Sequence, residues 1–202
     1  VMPVARLGRS LRCRYSSDRD ILMQFTATPI GGVFAFSGGV HTDARGSFQR
    51  TYCSGAFAEP GLVLVVAQAA ISRNTATGTL RGLHFIPEAD GEAKLVRCIA
   101  GRIFDVAVDL RPASPTYLQH ISVELDAARG NALYLPRGVA HGFITLQDDC
   151  DVLYQFSRAH RPGVEMGVRW DDPDLAINWP MPPVVLSDRD RTLPFVKDLT
   201  GD

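Results

Sequence analysis

One segment of the chain, residues 102–110 with the sequence RIFDVAVDL, constrains the fold most. Its side chains fall into two alternating sets, with Phe104, Val106, Val108 and Leu110 in one and Ile103, Asp105, Ala107 and Asp109 in the other. A repeat of two residues is typical of a β-strand, whereas an α-helix repeats every ~3.6 residues. The segment therefore predicts a β-strand with one fully apolar face.

Similar apolar or alternating runs recur along the rest of the chain. They cover residues 62–69, 79–85, 94–99, 117–125, 131–135 and 151–157, with turn-forming residues between them. Helix is limited to short turns near 56–60 and 126–129. The chain has 202 residues, of which 46% are hydrophobic, and this is enough for the core of one domain. These features predict an all-β sandwich or barrel with few short helices.

The first 22 residues are expected to precede the folded domain. Residues 1–15 carry four arginines and no acidic residue, whereas Met23 opens a segment that resembles the start of a folded chain. Terminal segments of domains are often poorly ordered. The sequence therefore predicts a disordered extension over 1–22 and a single domain over 23–202.

The nearly balanced charge argues against two classes of partner. The chain has 21 Lys and Arg residues against 22 Asp and Glu residues, so its net charge is -1. Such a chain has no overall positive field to hold nucleic acid or an anionic membrane. No apolar run approaches the ~18 residues that span a bilayer, and the four cysteines form no CxxC pair. We expect a cytoplasmic protein with reduced thiols that binds neither nucleic acid nor membranes.

Common catalytic motifs are missing from the sequence. It contains no Walker-type glycine loop and no GxGxxG, HExxH or GxSxG motif. A cupin-type metal site would need a His-x-His motif, but Ile86 stands two positions after His84. With His141 as the one histidine of the later motif, too few ligands remain, and we expect no metal.

What remains is a dispersed set of polar side chains within the predicted strands. Each has an ordinary structural explanation, since strand histidines are often simply hydrogen-bonded, charged residues solvated and tyrosines part of a core. Their number in an apolar barrel nevertheless indicates a ligand site. The set comprises Arg81, His84, Lys94, Arg97, His141 and Tyr154.

Nine short motifs follow one another along the chain. They are DARGSF (43–48), TLRGLHF (79–85), AKLVR (93–97), GRIFDVAVDLR (101–111), SPT (114–116), PRGVAHGF (136–143), LY (153–154), RWDDP (169–173) and INWP (177–180). On these motifs the chain, from about residue 23 to 196, resembles the dTDP-4-dehydrorhamnose 3,5-epimerase family of sugar-nucleotide epimerases. The resemblance implies a double-stranded β-helix, the jelly-roll barrel of cupins. It also implies a homodimer that works without a metal or organic cofactor.

The resemblance implies a reaction as well. The expected activity inverts C-3 and C-5 of a nucleotide-linked 4-keto-6-deoxyhexose by removing a proton through an enolate and returning one on the opposite face. Such chemistry needs a base whose pKa lies near neutrality and fixed positive charge at the developing oxyanion. It also needs an acid on the other face of the ring, and a neutral tyrosine can fill this role.

Residue roles follow from the resemblance. His84 matches the general base and Tyr154 the acid, and the carboxylate that pairs with the histidine is expected to be Asp172 or, less favoured, Asp171. Arg81 and Lys94 match the cations near the sugar's carbonyl oxygen, and His141 matches a further pocket histidine. Arg45 and Gln68 match positions that contact the nucleotide end.

One geometric problem concerns Arg81 and His84. In a regular strand these two residues would point to opposite faces because three positions separate them. We therefore predict that Gly82 marks a β-bulge that turns both side chains inward.

The chain departs from the family pattern around the expected site. It has QAAIS at 68–72 where typical members have Gln-Asp-Asn-His-Ser, Arg50 where they have an acidic residue, and Gln155 after the tyrosine where they have lysine. The alternatives are therefore an epimerase acting on C-3 or C-5 only, a 3,4-ketoisomerase on a related sugar nucleotide, and a non-catalytic sugar-nucleotide-binding barrel.

Overall fold

The computed structural model describes residues 11–12 and 23–199. Within these residues the chain forms fifteen strands and three short helices. The strands are β1 (Leu11–Arg12), β2 (Gln24–Ala27), β3 (Phe34–Ser37), β4 (Val40–Asp43), β5 (Gly46–Gln49), β6 (Gln68–Asn74), β7 (Thr79–Phe85), β8 (Lys94–Ala100), β9 (Arg102–Asp109), β10 (His120–Asp126), β11 (Asn131–Leu135), β12 (Val139–Thr145), β13 (Cys150–Phe156), β14 (Met166–Gly167) and β15 (Val185–Leu186). The helices are α1 (Ser54–Ala58), α2 (Asp188–Arg191) and α3 (Val196–Leu199).

The strands assemble into two large sheets and one hairpin. The seven-stranded sheet has the order β1-β2-β3-β11-β8-β13-β6, and the six-stranded sheet has the order β10-β9-β12-β7-β14 with β15 beside β7. All pairings are antiparallel except that of β15 with β7. Strands β4 and β5 form a separate hairpin. The predicted all-β jelly-roll barrel with few short helices is confirmed.

The predicted strand over 102–110 is β9, and it is covered on both faces. Ile103 and Ala107 pack in the core between the two sheets. Val106 and Val108 belong to a second apolar cluster on the outer side of the six-stranded sheet, where the C-terminal part of the chain packs. The alternation in the sequence thus reflects two different apolar environments, and it turns the buried carboxylate of Asp105 toward the barrel interior.

The outer side of the seven-stranded sheet is also covered. A third apolar cluster joins residues of β2, β3 and β11 with α1, and four aromatic rings pack around Phe57 of that helix. Because the central strands of both sheets are covered on both faces, polar side chains in the interior need a specific environment.

The predicted extension over 1–22 lies outside the described residues except for 11–12. These two residues form β1, which pairs with β2. Among the helices of the described residues, none has the length and apolar character needed to cross a membrane.

Candidate active site

A cavity of about 370 Å³ lies between the two sheets. Five of the side chains singled out in the sequence line it, namely Arg81, His84, Lys94, His141 and Tyr154. Its other lining residues are Ala70, Ile71, Ser72, Phe156, Glu165, Ser187, Arg189 and Asp190. The fold thus gathers residues from β6, β7, β8, β12, β13 and α2 around one space.

A bulge in β7 brings two of these side chains to the same side. His84 lies opposite His141 of β12 and Arg81 lies opposite Phe143, so three residue steps on β7 match two on β12. Gly82 within the bulge has φ +124°, and a Cβ atom there would lie 2.6 Å from the Cα of Gly142. Only glycine tolerates both this dihedral angle and this approach. The predicted bulge at Gly82 is confirmed.

His84 pairs with a carboxylate of α2. Its Nε2 lies 2.6 Å from Oδ1 of Asp190, and the backbone N–H of Gly82 donates to the other carboxylate oxygen at 3.3 Å. Ser187 caps the helix by accepting a hydrogen bond from the Asp190 backbone N–H at 3.0 Å. Burial works to raise the pKa of Asp190, but the hydrogen bond and charge of His84 outweigh it, and the pKa is lowered. A carboxylate at Nε2 fixes the tautomer of His84 and leaves Nδ1 free.

The expected partner of His84, Asp172, lies elsewhere. Its carboxylate accepts hydrogen bonds from the backbone N–H groups of Val196 at 2.6 Å and Asp174 at 2.9 Å. Asp171 instead forms an ion pair with Arg169 at 2.7 Å. The predicted pairing of His84 with Asp172 or Asp171 is therefore wrong, because the first is occupied by backbone amides and the second by a guanidinium.

His141, which also lines the cavity, forms a second imidazole and carboxylate pair. Nε2 of His141 is 2.7 Å from Oδ1 of Asp105, and both residues are buried. The other oxygen of Asp105 has no hydrogen-bond partner among the described residues. Burial raises the pKa of Asp105, and the charge of His141 offsets only part of this effect. The sequence pattern places Asp105 on the same strand face as Ile103 and Ala107, but it gives no sign that Asp105 contacts His141.

Tyr154 faces these histidines from β13. Its ring meets the ring of His141 edge-on with centroids 5.8 Å apart, and it stacks parallel to Phe156 at 5.7 Å. Burial raises the pKa of Tyr154, and the negative charge of Asp105 raises it further. The hydroxyl therefore carries its proton at neutral pH and can donate it.

Two cations complete the polar part of the cavity. Lys94 is 7% exposed, and its Nζ lies 3.7 Å from Oε1 of Glu92 and 5.8 Å from the centre of the Phe156 ring. Arg81 donates from Nε to Oδ1 of Asn74 at 2.8 Å. Lys94 is ion-paired with Glu92, but its ammonium has three donors, and Arg81 uses only Nε in the bond to Asn74, so both cations keep donors for an anionic oxygen in the cavity.

Three further polar residues were missed at the sequence level. Glu165, Ser187 and Arg189 line the cavity, and Nη2 of Arg189 lies 2.8 Å from Oε2 of Glu165. The pattern Ser-x-x-Asp at 187–190 is a helix-start signal that could have located α2. It carries no information that this helix reaches His84.

Two predicted contacts of the nucleotide end do not line this cavity. The side-chain oxygen of Gln68 accepts a hydrogen bond from the backbone N–H of His160 at 2.8 Å. Arg45 lies on the hairpin of β4 and β5, where it pairs with Asp43 and is 89% exposed. Arg97, also singled out in the sequence, donates to the carbonyl of Thr51 outside the cavity, and burial lowers its pKa to about 10.

The geometry defines a class of protein. A jelly-roll barrel holds a carboxylate-paired histidine, a protonated tyrosine and two cations around a space that suits a small molecule. Within the described residues, no three His, Cys, Asp or Glu side chains are grouped as a metal ion would require. This arrangement is suited to moving protons at carbon next to a carbonyl group.

Comparison with known proteins identifies the family. The family model for dTDP-4-dehydrorhamnose 3,5-epimerase matches residues 27–198. The dTDP-4-dehydrorhamnose 3,5-epimerase of Methanothermobacter thermautotrophicus is 40% identical over 83% of this chain and 91% of the relative. The dTDP-4-dehydrorhamnose 3-epimerase of Streptomyces niveus is 39% identical over 84% of this chain and 82% of the relative.

A solved structure agrees with these matches. The crystal structure of the dTDP-4-dehydrorhamnose 3,5-epimerase of Bacillus anthracis with TDP and PPi bound has a TM-score of 0.83 and 34% identity. It covers 86% of this chain and 99% of its own. The chain belongs to the dTDP-4-dehydrorhamnose 3,5-epimerase family, and the resemblance found in the sequence motifs is confirmed.

Proposed function

We propose that this protein is an epimerase that inverts C-3 and C-5 of a nucleotide-linked 4-keto-6-deoxyhexose. The observation that carries the proposal is the placement of a base and an acid on opposite sheets. His84 belongs to the six-stranded sheet and Tyr154 to the seven-stranded sheet, and both line one cavity. A sugar ring bound between them meets the base on one face and the acid on the other.

His84 takes the proton from the carbon next to the ketone. Asp190 holds Nε2 of the ring, so Nδ1 is the atom that accepts the proton. The carboxylate also stabilises the imidazolium that forms. The electron pair of the broken C–H bond moves into the ring and onto the ketone oxygen, giving an enolate.

Arg81 and Lys94 stabilise that enolate oxygen. Both are cations of the cavity wall, and Lys94 is buried. Fixed charges in a site with little water stabilise a developing oxyanion strongly. His141, held by Asp105 and edge-on to the Tyr154 ring, adds a further hydrogen-bonding group to the cavity wall.

Tyr154 returns a proton to the opposite face of the same carbon. Its raised pKa keeps the hydroxyl protonated until the enolate carbon takes the proton. Solvent then protonates the tyrosine and removes the proton from His84, so the enzyme is restored without a cofactor. Repeating the cycle at the second carbon gives the doubly inverted sugar.

A relative favours a second candidate function. The Streptomyces niveus relative, named a 3-epimerase, is about as similar as those named 3,5-epimerases. The same base, cations and acid would serve inversion at C-3 alone. The two candidate functions differ only in whether His84 removes a proton from C-3 alone or from both C-3 and C-5.

We include a homodimer in the cytoplasm in this proposal. The hairpin of β4 and β5 carries Phe48 with 65% of its surface exposed, together with the exposed Arg45. A second copy of the chain that covers this hairpin would bury Phe48. Arg45 of each copy would then reach the nucleotide bound at the cavity of the other copy. The expected mass in sedimentation equilibrium is twice the 22.0 kDa of the chain, and a monomer at working concentration would contradict this part.

Deuterium wash-in tests the function. The protein is incubated with dTDP-4-keto-6-deoxyglucose in deuterated water without added metal, and the exchanged positions are counted by NMR. Exchange at C-3 and C-5 supports the double epimerase, and exchange at C-3 alone supports the second candidate. Binding without any exchange would contradict both.

A further inference from the structure

The two cations of the cavity are held in different ways. Within the described part of the chain Arg81 forms no ion pair, and its side chain donates one hydrogen bond, from Nε to Oδ1 of Asn74 at 2.8 Å. Lys94 differs, because the carboxylate of Glu92 lies 3.7 Å from its ammonium. Arg81 is also an exposed residue, so its long side chain needs a bond to keep one conformation. Asn74 supplies that bond.

The amide of Asn74 is itself fixed by the backbone. The residue is 3% exposed, and its Nδ2 donates to the carbonyl of Ser72 at 3.1 Å and to that of Cys150 at 3.0 Å. Because carbonyl groups only accept hydrogen bonds, the nitrogen of the amide has to face them and Oδ1 has to face Arg81. Arg81 is therefore bound to an acceptor that is buried and held in one orientation.

The bond between Asn74 and Arg81 joins the two sheets beside the cavity. Asn74 is the last residue of β6, which is the edge strand of the seven-stranded sheet. Arg81 lies on β7 of the six-stranded sheet, next to the bulge at Gly82. The bond thus ties the guanidinium to the sheet that carries Tyr154, across the space in which the sugar ring is proposed to bind.

The acceptor is neutral, and this matters for the charge of Arg81. A carboxylate in the same place would compensate the positive charge, whereas an amide holds the guanidinium and leaves its charge uncompensated. A fixed positive charge of this kind is what a developing oxyanion needs. The charge of Arg81 also acts on Tyr154, where it opposes the burial and the charge of Asp105 that together raise the pKa of the tyrosine.

We propose that Asn74 is a positioning residue, which fixes the guanidinium of Arg81 at the cavity and leaves its positive charge available to the enolate oxygen. The proposal rests on the proposed function and extends it to a residue outside the cavity lining. Arg81 lines the cavity and Asn74 does not, so Asn74 acts through Arg81.

Asn74→Ala tests the positioning. Deuterium wash-in with dTDP-4-keto-6-deoxyglucose gives kcat, and urea unfolding gives the folded fraction. We expect kcat per folded molecule to fall by roughly 10- to 100-fold, because a displaced charge stabilises the enolate less. The dissociation constant of dTDP should change much less, since the oxyanion forms only during the reaction.

Asn131→Ala is the matched control. The amide of Asn131 also bridges two backbone groups, accepting from the N–H of Asp126 at 2.9 Å and donating to the carbonyl of Glu124 at 2.8 Å, but it does not line the cavity. We expect this variant to lose stability and to keep the wild-type kcat per folded molecule. A wild-type value in Asn74→Ala, or equal losses in both variants, would overturn the inference and leave the epimerase function standing. Absence of exchange in the wild type would overturn the function and this inference with it.

Asn74→Asp tests the charge. The variant keeps an oxygen opposite Arg81 and adds a negative charge, and we expect kcat per folded molecule to fall by about tenfold or more. A folded Asn74→Asp protein with the wild-type kcat would overturn the claim that the charge has to stay uncompensated. The second carboxylate oxygen would face the carbonyls of Ser72 and Cys150, so circular dichroism checks the fold, and Asn74→Ala decides the inference where this variant does not fold.

Discussion

Each imidazole of the cavity is held at Nε2 by a buried carboxylate. His84 pairs with Asp190 at 2.6 Å and His141 with Asp105 at 2.7 Å. Both rings therefore direct Nδ1 away from their carboxylates, and the two side chains differ mainly in the rest of their surroundings. Asp190 accepts an additional hydrogen bond from the backbone N–H of Gly82, whereas one oxygen of Asp105 has no partner among the described residues.

Asp190 pairs with His84 in the structure, whereas Asp172 is the partner that the sequence predicted. Substitutions of these two aspartates are expected to affect different properties, the reaction for Asp190 and the stability for Asp172. Asp190→Asn removes the charge that fixes the His84 tautomer, and we expect proton exchange to fall by roughly 10²- to 10⁴-fold with little loss of stability. Asp172→Asn weakens the contacts to the backbone amides of Val196 and Asp174, so it should lower the free energy of unfolding by about 1–3 kcal/mol. Its exchange rate per folded molecule should stay near that of the wild type.

Exchange rates and urea unfolding of both variants check this prediction. A large loss of exchange in folded Asp172→Asn, with normal exchange in Asp190→Asn, would restore the assignment drawn from the sequence.

Tyr154→Phe keeps the stacked ring and removes the proton donor. Because His84 still removes the first proton, we expect inverted product to fall by roughly 10²-fold or more while exchange at the original face is reduced less. NMR of the same reaction in deuterated water reports both quantities. If both fall by the same factor, Tyr154 also takes part in proton removal, and its assignment as a terminal acid is wrong.

At the scale of single elements, β7 places His84, the proposed base, and α2 orients its ring. Strand β7 is bulged at Gly82 so that Arg81 and His84 face the same space, and α2 is a single turn capped by Ser187. The backbone N–H of Gly82 also donates to Asp190, so the bulge and the helix are joined directly. A substitution in the bulge is therefore expected to disturb the pairing of His84 with Asp190 as well.

Gly82→Ala tests this dependence. The added Cβ would lie 2.6 Å from the Cα of Gly142, and we expect a loss of roughly 2–5 kcal/mol in the free energy of unfolding together with lost exchange. Gly31→Ala is the matched control, because nothing lies within 4 Å of a Cβ at that position. Urea denaturation of both variants gives the comparison. Equal stability of the two would contradict the account of the bulge.

The connection after β9 depends on another buried carboxylate. Asp109 accepts hydrogen bonds from Arg111 at 2.7 Å, Ser114 at 2.6 Å and Thr116 at 2.7 Å. Burial opposes ionisation, but these bonds outweigh it and lower the pKa of Asp109. A carboxyl group whose pKa is lower in the folded state stabilises the fold above the unfolded value of about 3.9. That stabilisation is lost as the pH falls through the folded pKa.

Asp109→Asn should therefore be less stable at neutral pH and lose less stability on acidification below about pH 4. Urea midpoints measured from pH 7 to pH 2 check this expectation. A variant whose midpoint falls with pH as steeply as that of the wild type would show that other groups control the acid response.

Local patterns in the sequence predicted the elements better than their long-range contacts. The alternation over 102–110 is a property of consecutive residues, and the parity of Arg81 and His84 was enough to predict the bulge. The pairing of His84 with Asp190 joins residues 106 positions apart, and the sequence pattern Ser-x-x-Asp describes only the start of α2. Asp172 lies in a motif that matched the family, but its neighbours in the folded chain are backbone amides.

At the scale of the whole molecule, the barrel places the proposed base and the proposed acid on opposite sheets. His84, Arg81 and His141 come from the six-stranded sheet, and Tyr154 and Lys94 come from the seven-stranded sheet. The sheets are held together by the apolar core between them, and each is covered outside by its own apolar cluster. The distance between His84 and Tyr154 is thus fixed by core packing rather than by mobile loops.

The central claim is that His84 is the base for proton exchange next to the ketone. The most direct measurement is deuterium wash-in with wild type and His84→Asn on dTDP-4-keto-6-deoxyglucose, with dTDP binding and circular dichroism as controls for folding. We predict exchange at C-3 and C-5 in the wild type and a loss of about 10³-fold or more at both carbons in the variant, with dTDP binding retained. Exchange at the wild-type rate in folded His84→Asn would contradict the account.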